Sequence, residues 1–180
     1  MLQDVSARVT YVVRPLVEDD WAALRAVRMD ALADSPSAFG STLAREQAFT
    51  EQTWRARARG SATTRLFVAW WAETAAGIAG VYDEGDGSLQ LVSVWVSPAH
   101  RRRGLARQLT SAALRFAAEL GFEVIRLWVT EGNDAALSLY QGFGFTSTGN
   151  HQPLPSNPAL DEHELALRLT ASGGRPHHGT

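Results

Sequence analysis

One stretch limits what this chain can fold into more than any other. Leu89–Leu120, LQLVSVWVSPAHRRRGLARQLTSAALRFAAEL, reads as a strand, a short basic turn and a helix with almost nothing between them. Val92, Val94, Trp95 and Val96 are β-branched or aromatic, which suits a pleated and largely buried strand. Ser97-Pro98 ends the strand, because proline brings no ladder donor and holds the residue before it extended. From Leu105 the apolar positions Leu109, Ala112, Ala113, Phe116, Ala117 and Leu120 recur three or four apart, the spacing of one helix face, and Gly121 stops them.

Between strand and helix lies Arg101-Arg102-Arg103-Gly104-Leu105-Ala106. Side chains shrink here just where a helix N-terminus is exposed. The first N–H groups of a helix lack intrahelical partners and carry the positive end of its dipole, so they suit a phosphate. Gly104 and Ala106 let an anion approach the backbone, and the arginines can clamp or steer it. A run of arginines alone is usually a solvated face. This one is pinned at the carboxyl end of a buried strand, where α/β sheets hold their ligands. Neither common phosphate signature is present: the chain has no G-x-x-x-x-G-K-[ST], and no G-x-G-x-x-G follows a strand.

Arg101-x-x-Gly104-x-Ala106, preceded by Val94-Trp95-Val96 and followed by the amphipathic helix, resembles the acetyl-coenzyme A motif [QR]-x-x-G-x-[GA] of the GNAT superfamily of N-acetyltransferases. A second block agrees with it. Leu127–Phe145, LWVTEGNDAALSLYQGFGF, is similar to that family's later strand, the Asn that begins the next helix, the Tyr on it and the following G-F. The order and separation of the two blocks are more specific than either alone.

Length and composition agree with an ordinary globule. A chain of 180 residues, 45% apolar and 20% charged, is the size of one domain with a substantial core. A formal charge of −2 supplies no basic field, so nucleic acid is a poor partner. The absence of cysteine excludes disulfides, thiolate metal sites and a cysteine nucleophile. The N-terminus shows no apolar leader and no apolar run reaches membrane-spanning length, so the expected setting is cytoplasmic, with no membrane partner.

Taken in order, Ala7–Leu16 reads as a first strand, broken at Arg14-Pro15. Trp21, Leu24, Val27, Ala31 and Leu32 form the stripe of a helix that opens on Glu18-Asp19-Asp20. A second helix is expected near Ala44–Arg59. Arg65–Ala72, Ala76–Tyr82 and Leu89–Val96 should form an antiparallel meander, the last two joined through Asp83-Glu84-Gly85-Asp86-Gly87. Val124–Thr130 is the next strand, and Asn133 is a fitting N-cap for a helix through Gln141. Phe143–Thr148 and His163–Leu169 complete the strands around a Pro-rich loop at Gln152–Pro158. Residues 1–170 thus read as one domain, with residues 171–180 a disordered tail.

The fold class is mixed α/β. The resemblance implies a bent sheet of about seven strands flanked by about four helices, with the Leu89–Val96 and Val124–Thr130 strands splayed apart. Acetyl-coenzyme A would enter that gap, its pantetheine amides taking up backbone groups left without a ladder. By the same resemblance, Val94, Trp95 and Val96 contact the pantetheine. Arg102, Arg103, Gly104, Leu105, Ala106 and Arg107 line the pyrophosphate, Arg101 adds a modest, salt-sensitive contribution to cofactor binding from the loop's outer edge, and Asn133 completes the site. Co-substrate binding needs no metal, and the family pattern allows a homodimer.

The implied reaction is direct attack of an amine on the thioester in a ternary complex. A free alkylamine titrates near pKa ~10, as lysine does, so it must lose a proton before it can attack. The departing thiolate gains from a donor, and Tyr140 matches the family's general-acid position; by itself, a tyrosine on an amphipathic helix reads as core. In one branch of the family, which acetylates ribosomal-protein N-termini, a glutamate stands five residues before the helix-starting Asn, and that position here is Trp128. The candidates for a base are therefore Glu84, Glu131, His151, His163 or a water relay.

The acceptor pocket is implied to lie among Ala38–Trp54 and His151–Leu160. These segments carry Phe39, Phe49, Trp54 and few acids, so a small amine, an amino acid derivative, a drug or a peptide N-terminus fits better than a polycation. The alternative from another class is a catalytically silent acyl-coenzyme A sensor or scaffold of the same fold.

Overall fold

The computed structural model describes residues 10–169. The strands are β1 (Tyr11–Pro15), β2 (Arg65–Trp71), β3 (Thr74–Asp83), β4 (Leu89–Val96), β5 (Val124–Thr130), β6 (Thr146–Leu154) and β7 (Asn157–Arg168). The helices are α1 (Trp21–Asp34), α2 (Leu43–Gln47), α3 (Glu51–Arg59), α4 (Leu105–Glu119) and α5 (Asp134–Gln141). One seven-stranded sheet runs in the order β1-β2-β3-β4-β5-β7-β6. Every neighbouring pair is antiparallel except β4 and β5, which are parallel and joined through α4.

The central strands read as unbroken apolar runs because both of their faces are covered. On one face Phe67, Ala69, Ala79, Val81, Leu89, Leu91, Ile125 and Leu127 pack beneath Leu105, Leu109, Ala113 and Ala117 of α4. On the other, Leu66, Val68, Ile78 and Trp95 meet Leu24, Val27, Ala31 and Leu32 of α1 and Trp54 of α3. The small residues of β3 permit the close approach of α4: a side chain at Gly77 would stand 2.8 Å from the Trp95 carbonyl and 3.1 Å from Leu109. Among the described residues no helix is long and apolar enough to cross a membrane.

Three expectations need correction. The helix expected near Ala44–Arg59 is two helices, which makes five α-helices among the described residues, because Thr42 and Thr50 each cap a new start. Their hydroxyls accept from the N–H groups of Arg45 and Thr53, both at 3.2 Å. The strand expected over Phe143–Thr148 begins only at Thr146. The chain leaving α5 first closes a tight turn in which Phe143 N–H and Phe145 N–H both donate to the Tyr140 carbonyl. The expected Pro-rich loop at Gln152–Pro158 is instead the tip of a long hairpin, with Leu154 paired to Asn157. Proline is tolerated there because β6 is an edge strand. The first strand runs through Pro15 on the opposite edge; its expected start at Ala7–Val9 and the expected tail from Ala171 lie outside the described residues.

Candidate active site

β4 and β5 are in register only at Leu89–Ile125 and Gln90–Arg126, after which they part. β5 turns fully to β7, pairing with it from Val124 to Thr130, while β4 stays on β3. From Leu91 onward, the β4 edge that faces β5 therefore has no ladder partner. Ser93 aims this part of the strand. It has φ +60°, and between the Gly80–Val92 and Ile78–Trp95 pairs β4 carries one residue more than β3, a bulge that bends the strand. The extra residue also sets the faces. Leu91 and Val94, three apart, both turn to the α4 side, and Trp95 turns to the α1 side.

A buried cluster fixes the bulge from behind. Arg28 of α1 donates Nη1 to Ser93 Oγ at 3.1 Å, Nε to Glu46 Oε2 at 3.0 Å, and Nη2 to Glu46 Oε1. Arg57 of α3 adds a bond to Glu46 Oε2 at 3.0 Å. Burial alone would push the Glu46 carboxyl up, but the hydrogen bonds and charges of Arg28 and Arg57 outweigh it and hold the group below its usual range.

At the far end of β4 the expected phosphate loop opens α4. Gly104 is the N-cap with φ +77°, and nothing lies within 4 Å of where its side chain would stand. Its carbonyl accepts the first helical bond, from Gln108 N–H, so the N–H groups of Leu105, Ala106 and Arg107 have no partner within the helix. A cavity lies over them, walled by Val96 and by Ala135 and Leu139 of α5. The arginines divide the work. Arg101 is a staple: its Nε donates to the Val96 carbonyl at 3.0 Å, and its Nη2 pairs with Asp34, which also accepts from Trp95 Nε1 at 2.9 Å. Arg102 and Arg103 are exposed, and Arg107 lies over the Phe143 ring at 4.9 Å.

Where β4 and β5 part, the space widens into a chamber of about 540 Å³. Ser93 and Val94, Trp128 and Thr130, Phe39, and Asn133 and Tyr140 of α5 all contribute to its wall. Asn133 caps α5 as expected, its Oδ1 accepting from Ala136 N–H at 3.2 Å. Tyr140 is more than nine-tenths buried and packs edge-on against Phe145, with ring centroids 5.8 Å apart. Burial holds its phenol above the ordinary value, so it keeps its proton across the neutral range.

The expected bases are scattered. Glu84 stands exposed at the chamber's rim. His151 and His163 are cross-strand partners with ring centroids 6.1 Å apart, and His163 lines a separate cavity with Glu131 on the α5 side of the sheet. Besides the arginine-paired Glu46, the buried acids of the chamber are Glu162 and Glu164 of β7, which sequence reasoning did not single out. Their signal lies in the register: Glu164 pairs with Trp128 and Glu162 with Thr130, so the two carboxylates stand on the face of the sheet that Trp128 occupies. Glu164 Oε2 accepts from Thr148 Oγ1 at 2.7 Å and Asn150 Nδ2 at 2.8 Å. Among the described residues, Glu162 Oε1 accepts only from Gln152 Nε2, at 2.7 Å. Burial raises the Glu162 carboxyl above its usual range, and the bond from Gln152 offsets this only in part.

These features fit a slender acyl thioester whose amide-bearing arm ends in a diphosphate. An open strand edge can meet its amides, an unpartnered helix N-terminus its phosphates, and the chamber its acyl end. Among the described residues no group of three or more His, Cys, Asp or Glu could hold a metal ion.

Comparison with known proteins points the same way. Residues 25–145, more than half of the chain, match the acetyltransferase (GNAT) family. The chain is 44% identical over 61 residues to mouse N-acetyltransferase family 8 member 3, covering 34% of this chain and 27% of that protein. It is 31% identical over 138 residues to the mycothiol acetyltransferase of Renibacterium salmoninarum, covering 74% of this chain and 40% of the other. The chain thus spans well under half the length of these two relatives. Its fold superimposes with a TM-score of 0.71 on a Salmonella typhimurium structure solved with its cofactor acetyl-CoA, at 21% identity over 93% of this chain and 99% of that one.

Proposed function

The chain belongs to the acetyltransferase (GNAT) family, and from that membership we propose that it moves the acetyl group of acetyl-coenzyme A to a primary amine of a small molecule or peptide. The observation that carries this reading is the parting of β4 from β5 between an unpartnered helix N-terminus and a chamber holding Tyr140. A relative solved with acetyl-CoA supports the choice of donor.

When bound, acetyl-coenzyme A supplies an activated acyl carbon and a thiolate leaving group. The residues of this chain do the rest. The N–H groups of Leu105, Ala106 and Arg107 hold the pyrophosphate, with Gly104 leaving room and Arg102 and Arg103 adding charge. The backbone of Val94 and Val96 meets the pantetheine. Trp95 acts through its backbone, since its indole is committed to Asp34, and Arg101 acts by holding the end of β4 in place. Asn133 positions α5, and Tyr140, kept protonated by burial, donates its proton to the sulfur as the C–S bond breaks.

A thiol-release screen with acetyl-coenzyme A across amines, amino acids, aminoglycosides and peptides tests the reading. At least one primary amine should turn over. If the protein binds the thioester yet no acceptor class releases thiol above background hydrolysis, it is an acyl-coenzyme A sensor and the reading is wrong.

A further inference from the structure

We propose that Glu162 receives the proton that the acceptor's ammonium group must lose, so that the acceptor enters the chamber as a cation and becomes a nucleophile only inside it. The proposal rests on the transferase reading above and adds to it the group that reading lacks.

Three observations carry it. Glu162 is more than nine-tenths buried, lines the chamber, and has no cationic partner among the described residues, where its carboxylate accepts a single hydrogen bond, from the neutral amide of Gln152. A carboxylate in that position is costly unless something positive joins it. Tyr140, equally buried, lines the same chamber, and its hydroxyl has no hydrogen-bond partner among the described residues. A proton acceptor and a proton donor thus share one cavity with both of their working atoms unspent. The third observation is a contrast. Glu46 is paired with Arg28 and Arg57, and Glu164 Oε2 already accepts from both Thr148 and Asn150, so Glu162 is the buried acid of the chamber with neither an ion pair nor a second side-chain donor among the described residues, which suits it to exchange a proton.

The other charged or titratable groups around it are Glu164 on its own strand, Arg28 on α1, Glu46 on α2, Arg57 on α3, Glu84 at the rim and Tyr140 on α5. The ion pairs of Glu46 occupy the arginines and Glu164 is bonded to Thr148 and Asn150, which leaves Glu162 as the acid that meets the incoming cation. Glu162 lies on a strand, outside the segments that the sequence points to as the acceptor pocket, and it makes cationic amines the favoured class.

The protons balance. An ammonium acceptor loses two as it becomes an amide, and the thiolate gains one. Glu162 takes the first proton and passes it to solvent. The nitrogen lone pair then attacks the acetyl carbonyl and the C–S bond breaks. Tyr140 protonates the sulfur, and the second proton shed by nitrogen restores the tyrosine hydroxyl.

The test compares two probe amines, pentylamine and methoxyamine, in thiol release from acetyl-coenzyme A between pH 6 and pH 10. Pentylamine is a cation at neutral pH, with a pKa of ~10 like that of lysine. Methoxyamine is already neutral there and needs no base. Glu162→Gln should lower kcat/KM for pentylamine by about 10²-fold or more, the usual span of general-base catalysis, and leave methoxyamine within a few-fold of the wild type. Glu164→Gln should affect the two probes alike. Equal losses with both probes for Glu162→Gln, or the selective loss appearing in Glu164→Gln, would overturn the proposal while leaving the transferase reading intact. If no amine releases thiol with the wild type, that reading falls and the proposal with it. A titration of the [δ-¹³C]glutamate-labelled protein needs no acceptor: the Glu162 signal should titrate above those of the exposed glutamates, and a midpoint at or below theirs also overturns the assignment.

Discussion

At the scale of single residues, the account turns on two buried groups. Tyr140→Phe keeps the ring against Phe145 and removes only a hydroxyl that makes no hydrogen bond among the described residues. Thermal stability and acetyl-coenzyme A affinity should barely change, while kcat and kcat/KM fall together by about 10²–10³-fold, the loss expected when an interaction made only in the transition state is removed. Unchanged kcat would return Tyr140 to the core. Glu162 makes a separate prediction about stability. Burial raises its carboxyl in the folded chain, so the native state keeps this proton at pH values where the unfolded chain has lost it. Its contribution to stability is therefore full below the unfolded value, about pH 4.3, and is lost as pH rises through the folded one. Glu162→Gln should raise the melting temperature at pH 8 and leave it near the wild-type value at pH 4, with activity lost where stability is gained. Tyr140 and Asn133 were legible in the sequence because both lie in a compact, ordered block, Asn133–Phe145. Glu162 was not: nothing in DEHEL says which of its acids faces inward until the pairing of β7 with β5 sets the register.

Among the elements, the turn that starts α4 separates roles that composition blurs. Three successive arginines look alike in sequence, yet Arg101 is bonded to the Val96 carbonyl and Asp34 while Arg102 and Arg103 stand exposed. Arg101→Ala should cost about 1 kcal/mol of stability, seen by denaturant unfolding, and leave the salt dependence of acetyl-coenzyme A binding unchanged. Arg102→Ala should do the opposite, weakening binding at low salt more than at high salt. At Gly104 the φ of +77° penalises any side chain by about 1–2 kcal/mol, so Gly104→Ala reports the strain alone. Gly104→Asp adds a charge beside the helix N-terminus where phosphate should lie, and calorimetry should find its binding at least about tenfold weaker than that of Gly104→Ala. The Arg28–Glu46–Arg57 cluster is the other device at this scale, since it ties α1, α2 and α3 to the bulge in β4. Arg28→Ala strands part of the Glu46 charge in the core and should destabilise the fold by about 3–5 kcal/mol in chemical unfolding. This cluster was hidden from sequence because its members are far apart in the chain. The β6–β7 hairpin was hidden for another reason: its prolines signal a loop unless one knows that the strand carrying Pro153 is an edge.

For the whole molecule, the sheet's order and the parting of its two parallel strands decide what the chain can bind. The apolar runs and turns of β2 to β5 were strong enough to fix those strands from sequence, and the family resemblance carried by the Arg101–Ala106 and Leu127–Phe145 blocks implied the splay of β4 and β5. What could not be read was where β6 and β7 meet the chamber, because that depends on pairings between distant segments. The central claim is that the open edge of β4 and the first turn of α4 form one continuous cradle for acetyl-coenzyme A. Amide hydrogen exchange, recorded by NMR with and without acetyl-coenzyme A in the presence of EDTA, tests it most directly. The account predicts saturable slowing at Val94, Val96, Leu105, Ala106 and Arg107, with the amides of β1 and β6 on the outer edges unaffected. No change in exchange at saturating acetyl-coenzyme A, or protection confined to the outer strands, would contradict it.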